Sequence, residues 1–282
     1  MPLLEGSDVR LNYEVIGEGS PVTLLHGFTQ SGRSWREVVA LMPDGWKWIM
    51  PDLRGHGTTY VRPGAPHTMD ACTADLEMLW GSLGIARTHL VGYSMGGRLA
   101  LHVAAARPER VLSLLTVGAH AGLDDEAREG RRRSDDALAQ RIETDGLEAF
   151  VDYWSSLPLF NGLERRGPSF LDQVRAARIE NHVGGLAESL RGMGAGAMRP
   201  VWDELRRVKV PATFVAGELD HGYTASARRL AASVPNGRVV LIQRAGHTAH
   251  QERPEAFARL LLAHLEAASE RPEPSPSSST SA

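Results

Sequence analysis

Residues 90–98 read Leu-Val-Gly-Tyr-Ser-Met-Gly-Gly-Arg, an apolar run that empties into G-x-S-x-G, and a helix-like stretch, 99–107, follows at once. A serine on a sharp strand-to-helix turn has its hydroxyl pushed out of the backbone, and Gly92 and Gly96 leave room for the close crossing such a turn needs. Five residues of this kind also occur in ordinary Gly-Ser turns. Here residues 88–91 form a short apolar strand pattern before the turn, and Ala100, Leu101, Val103 and Ala104 supply an apolar helical face after it. Ser94 is therefore the candidate nucleophile or base. A serine hydroxyl is weak at neutral pH, so this reading requires a histidine to take its proton and an acid to orient that histidine.

Both partners have candidates downstream. A strand-like run at 211–216 empties into Gly217-Glu218-Leu219-Asp220, which sets Asp220 just past a strand end. Glu218 and His221 flank it and are assigned to a solvated turn; Asp124 and Asp125, after an earlier strand, are the alternative acids. A second run, 238–242, leads into Ala-Gly-His-Thr-Ala-His at 245–250 and puts His247 on the following loop. Eleven histidines compete for the role. His26 lies in an early loop, His102 within the helix after Ser94 and His264 on the C-terminal helix. His250 is the competitor; three residues on, it is expected at the start of the last helix, so His247 is preferred.

The negative charge that develops during reaction also needs two backbone N–H donors, one from the residue after the serine and one from a loop after an early strand. Met95 supplies the first. The run Val-Thr-Leu-Leu-His-Gly-Phe at 22–28 supplies the second through Phe28. The order serine, acid, histidine, each just beyond a strand, is that of the α/β-hydrolase fold.

The elements that must position these groups are legible in the hydrophobic pattern. Strands are expected at 9–16, 22–25, 46–50, 88–91 and 111–117, with helices at 34–42 and 69–83 between them; such alternation implies a mostly parallel sheet covered on both faces. Residues 51–57, Pro-Asp-Leu-Arg-Gly-His-Gly, read as an architectural loop. From 120 to 206 only helical stretches rich in Arg, Asp and Glu appear, and strand patterns resume at 210. The expected organisation is a core at 1–119, a helical cap at 120–206, the rest of the core at 207–268 and a disordered Pro/Ser-rich tail at 269–282. Substrate choice belongs to the cap, which carries Arg131-Arg132-Arg133-Ser134-Asp135, residues 153–160 with Trp154, Arg178-Ile179-Glu180-Asn181 and residues 186–194.

The 282 residues can bury one full core, and a net charge of −3 argues against general nucleic-acid binding. Lysine occurs only at 47 and 209, arginine taking its place, and Cys72 is the single cysteine, which excludes an internal disulfide and fits a reducing cytoplasm. No basic segment followed by an apolar stretch opens the chain and no apolar run reaches membrane-spanning length, so a soluble protein is expected. No metal-ligand spacing or phosphate-cradling loop is present, and neither metal nor other cofactor is expected.

The string Gly92-Tyr93-Ser94-Met95-Gly96-Gly97-Arg98 resembles a narrower family, the 2-succinyl-6-hydroxy-2,4-cyclohexadiene-1-carboxylate synthases of menaquinone biosynthesis. So do His26-Gly27-Phe28, the Arg131 segment, Trp154 with Pro158 and Phe160, Arg178 with Asn181, and Ala245-Gly246-His247. The match covers residues 9–266. The resemblance implies a lyase in which Ser94, activated by His247 and Asp220, abstracts a proton and pyruvate leaves a small polycarboxylate substrate. It implies that Arg98, Arg131 and Arg178 bind the carboxylates, that Tyr93 and Trp154 line the pocket, and that Phe28 and Met95 hold the oxyanion. One position departs: members often carry a lysine shortly after the acid, where this chain has His221-Gly222-Tyr223. Two other functions use the same framework, a serine hydrolase cleaving an ester or carbon–carbon bond in an acidic metabolite, and a ligand-binding receptor. Haloalkane dehalogenases and epoxide hydrolases differ by an aspartate where Ser94 stands.

Overall fold

The computed structural model describes residues 2–270. Nine strands form one sheet: β1 (Leu3–Glu5), β2 (Val9–Ile16), β3 (Gly19–Leu25), β4 (Gly45–Pro51), β5 (Tyr60–Val61), β6 (Thr88–Tyr93), β7 (Val111–Val117), β8 (Ala212–Gly217) and β9 (Gly237–Ile242). The order is β1-β2-β4-β3-β6-β7-β8-β9, with β5 paired to β2. From β4 to β9 all neighbours are parallel, while β1, β5 and β4 each meet β2 antiparallel. Every residue of β6 and β8 is buried, as strands covered on both faces require. Because β3, β6, β8 and β9 are parallel, the loops after all four open on the same edge.

Five helices flank the sheet outside the 120–206 region: α1 (Arg36–Ala40), α2 (Met69–Ser82) and α3 (Met95–Ala106) before it, and two further long helices after it. Within that region lie α4 (Asp125–Asp145), α5 (Leu147–Ser155), α6 (Pro168–Ile179) and α7 (Val183–Met193), together with 3₁₀ runs at Pro158–Arg166 and Glu204–Arg207, and no strand. The later helices are α8 (His221–Ser233), the one-turn α9 (Ala249–Glu252) and α10 (Pro254–Ser269). The apolar faces of α2, α3 and α8 bury Trp80, Leu99 and Leu230 against one side of the sheet; α1 and α10 bury Val38, Phe257 and Leu261 against the other. A third cluster, Ala139, Ile142, Phe150, Leu186 and Leu190, holds α4, α5 and α7 together, with Phe28 and Trp154 at its edge. Fully burying side chains of this size contributes about 1.5–3 kcal/mol each.

Several expectations need amendment. The helix expected at 34–42 is a 3₁₀ turn, Gly32–Trp35, running into the short α1. Strands β1 and β5, of three and two residues, were not anticipated, since so few residues carry no periodicity. His250 lies inside α9, separated from the last helix by Arg253; that helix opens on Pro254, whose ring cannot continue the α9 hydrogen-bond ladder. The tail was expected from 269, yet α10 runs through Ser269; residues 271–282 lie outside the described residues.

The 51–57 loop is held from inside. Asp52 accepts from Gly32 N at 2.8 Å, Thr58 N at 3.0 Å and Asn12 Nδ2 at 2.7 Å, and buried Arg54 pairs with Asp75 and Asp8. Its neighbour His26 donates from Nδ1 to Gly27 O and accepts Leu53 N–H at Nε2, tying this loop to the turn that carries Phe28.

Candidate active site

Ser94 sits between β6 and α3 with φ 50° and ψ −108°, a left-handed backbone that side chains other than glycine rarely adopt. A β-carbon at Gly92 would strike the Gly96 carbonyl, and one at Gly96 would strike the carbonyls of Leu25 and His26. The crossing is possible only with glycine at both. The same turn leaves Met95 as the first residue of α3, where its N–H has no partner inside the helix. Opposite it, the turn after β3 is braced by Gln30, whose Oε1 accepts Gly27 N–H at 3.1 Å and whose Nε2 donates to Gln251 at 3.0 Å.

The structure brings Ser94, His247 and Asp220 together. His247 Nε2 lies 3.1 Å from Ser94 Oγ, and Nδ1 lies 2.8 Å from Asp220 Oδ2. An ionised carboxylate only accepts, so Nδ1 carries the proton and Nε2 is free to accept from the serine hydroxyl. His247 is 3% exposed and Ser94 half-buried, which leaves the hydroxyl open to the cavity beside it. Asp220 also caps α8, its Oδ1 accepting Tyr223 N–H. The alternatives lie elsewhere: Asp124 caps α4 through Ala127 N, Asp125 pairs with Arg128 at the surface, and His250 is buried between Trp35 and Tyr93 with no hydrogen-bond partner among the described residues. Glu218 is exposed and accepts Arg244 N–H, and His221 opens α8.

A cavity of about 260 Å³ lies over Ser94, roofed by the helical region. Phe28, Tyr93, Met95, Arg98, Arg131, Trp154 and Arg178, all expected near the serine, line it. Arg98 is buried and donates one bond, to Met193 O at 3.1 Å; Arg178 is 2% exposed, stacks over Phe160 and donates to Ser155 Oγ at 2.6 Å. The Nε groups of both, and Trp154 Nε1, have no hydrogen-bond partner among the described residues. Among the described residues neither guanidinium is paired with a carboxylate, and desolvation lowers both from the usual arginine value, Arg178 to about 10, where it still carries its charge at neutral pH. Arg131 differs: it is partly exposed and its Nε is held by the buried Asp135 at 2.7 Å. Arg133 and Arg191 are bound to surface carboxylates. Burial pushes the Tyr93 phenol well above its ordinary value, which keeps it a neutral donor.

Residue reasoning left Tyr223 unassigned. It lines the cavity, and its ring lies 4.5 Å from that of His247. Its place three residues after Asp220, in the first turn of a helix, is the signal that could have found it. Among the described residues no group of three or more His, Cys, Asp or Glu side chains is arranged to hold a metal ion.

The family model for the alpha/beta hydrolase fold matches residues 20–254, and parallel sheet, flanking helices and strand-end Ser-His-Asp geometry all accord with it. The chain is 36% identical over 262 residues, 90% of its length and 95% of the relative's, to a Bacillus subtilis (strain 168) protein provisionally named 2-succinyl-6-hydroxy-2,4-cyclohexadiene-1-carboxylate synthase. It is 32% identical over 243 residues to the Yersinia pestis (strain Pestoides F) protein of that name, covering 86% of this chain and 85% of the other. The structure of MenH from S. aureus superposes with a TM-score of 0.87 at 30% identity, covering 91% of this chain and 98% of that one. The chain therefore belongs to the 2-succinyl-6-hydroxy-2,4-cyclohexadiene-1-carboxylate synthase family of α/β-hydrolase-fold proteins.

Proposed function

We propose that this protein is the synthase itself, a lyase that eliminates pyruvate from 2-succinyl-5-enolpyruvyl-6-hydroxy-3-cyclohexene-1-carboxylate in menaquinone biosynthesis. The observation that carries the reading is the pair of buried guanidiniums, Arg98 and Arg178, facing the Ser94 cavity with no carboxylate partner among the described residues. A buried, unpaired cation costs several kcal/mol, and an anionic substrate removes that cost where a neutral ester does not. Residues 120–206 act as the cap that supplies Arg131, Trp154 and Arg178, on a core of 1–119 and 207–268.

In this mechanism His247 takes the Ser94 proton and Asp220 steadies the imidazolium. The serine oxygen removes the ring proton at C2, the C–H electrons form the C2=C3 double bond, the existing C3=C4 pair shifts to C4=C5, and the bond from C5 to the enolpyruvyl oxygen breaks. The released enolate gains a proton to become pyruvate. Phe28 N–H and Met95 N–H hold the charge that develops on the substrate carbonyl. No helix among the described residues is long and apolar enough to cross a membrane; the enzyme works in the cytoplasm on a small molecule.

The test is direct. Purified protein given the enolpyruvyl precursor should release one pyruvate per diene formed, followed by diene absorbance and a coupled pyruvate assay, with simple neutral esters turned over slowly. Mass spectrometry during turnover should find no acyl group on Ser94. Fast ester hydrolysis with an acylated Ser94 and no pyruvate would replace the lyase with a serine hydrolase, and tight binding without turnover would replace it with a receptor.

A further inference from the structure

Glu252 is buried, 5% exposed, and takes no part in the mechanism above. Its carboxylate spans the loop that carries His247. Oε2 accepts Gly246 N–H at 2.8 Å, and Oε1 accepts both Thr248 N–H at 3.2 Å and the Thr248 hydroxyl at 2.9 Å. The backbone N–H groups of the residues on either side of His247 are thus held by one side chain, which α9 presents six residues after Gly246 and four after Thr248. Among the described residues no guanidinium or ammonium is paired with this carboxylate. Its bonding capacity is spent on the loop. On its other side the carboxylate meets the roof: a β-carbon added at Gly162, in the 3₁₀ run Pro158–Arg166, would land on it.

We propose that Glu252 is a positioning residue for His247, a two-sided clamp on the base loop, and that Gly162 seats the helical roof against that clamp. Without it the loop at 246–248 is left with unfilled amides and His247 samples orientations away from Ser94. Reacting groups displaced by about 1 Å cost on the order of 100-fold in rate, so the effect falls on kcat and leaves the arginine contacts to substrate intact.

Glu252→Gln tests this, because an amide nitrogen cannot accept and one flank of the loop must be released. The expected result is a kcat roughly 10- to 100-fold lower with KM within about twofold, since the group acts on orientation and not on binding. In the same variant the downfield proton NMR signal of His247 Nδ1–H, bonded to Asp220, should broaden or vanish while the melting temperature stays close to that of the parent. Gly162→Ala, which displaces the carboxylate from the roof side, should reproduce both changes, and it decides the question should Glu252→Gln fail to fold. Exposed Glu255→Gln is the control. A kcat within twofold of the parent with the signal intact, or a loss confined to KM, overturns the proposal. It rests on the lyase reading for its rate measurement alone; the NMR signal requires no substrate, so failure of that reading leaves this one testable.

Discussion

Under the lyase reading Arg98 and Arg178 set the site's selectivity, because neither meets a carboxylate among the described residues. Replacing either with methionine removes a charge-assisted contact made in a desolvated cavity, and kcat/KM for the precursor should fall by about 1.5–3 kcal/mol, roughly 10- to 150-fold. Because each charge is buried without a carboxylate, the same substitution should leave the melting temperature unchanged or raise it, the opposite of what breaking a paired charge does. Arg133→Met and Arg191→Met, which break surface ion pairs, should change kcat/KM little; equal losses in both sets would reduce the site to general positive potential. The reacting groups follow a different rule. If Ser94, His247 and Asp220 act through one proton path, as the proposed mechanism requires, Ser94→Ala/His247→Ala should be little slower than the worse single variant, whose loss is on the order of 10⁴- to 10⁶-fold. Multiplicative losses would dissolve the unit, and full activity in His247→Ala would hand the role of base to another group.

At the scale of elements, the turn at Ser94 is where the fold and the chemistry meet. Gly96→Ala drives a methyl into the carbonyls of Leu25 and His26, so β3 and α3 must separate to admit it. Thermal denaturation should show a drop of several degrees, with activity lost ahead of the fold; an unchanged melting temperature would mean that the crossing is looser than it looks. This turn was readable from sequence because glycine spacing and strand-then-helix patterning coincide within a dozen residues. The parallel part of the sheet was readable for the same reason: buried parallel strands are continuous apolar runs, and β7 falls where the pattern puts it. Other features depend on contacts between distant segments. The place of Tyr223 just after the acid hints at the site, but only the fold shows that α8 carries its ring to His247, and Glu252 sits in an ordinary helical turn until the loop at 246–248 folds back onto it. The arginines illustrate the boundary: their presence near the site followed from the family resemblance, while only the folded chain separates two unpaired guanidiniums from Arg131, held by Asp135.

Across the whole molecule, burial has left an unusual store of neutral histidine. Desolvation lowers His26, His89 and His102 to about 4 and His56, His120, His250 and His264 to about 3. An unfolded histidine titrates near 6.5. Above that pH neither state binds these protons and the seven have no effect on stability. Below it the unfolded chain takes up protons that the native state refuses, so stability falls as the pH drops from about 6.5 and continues falling until the native pKa values of 3 to 4 are reached. Each group contributes at most about 1.4 kcal/mol per pH unit in that window, and seven together approach about 10 kcal/mol per unit, comparable with the whole stability of a domain. Acid unfolding should therefore occur between about pH 5 and 6, above the range in which carboxylates titrate, with uptake of at least four protons per molecule. Urea denaturation across a pH series gives that number from the slope of stability against pH. A slope of one proton or fewer between pH 6 and 5, with unfolding delayed until about pH 4, would show that these rings are solvated in the native protein and that its acid limit is set by the surface carboxylates instead.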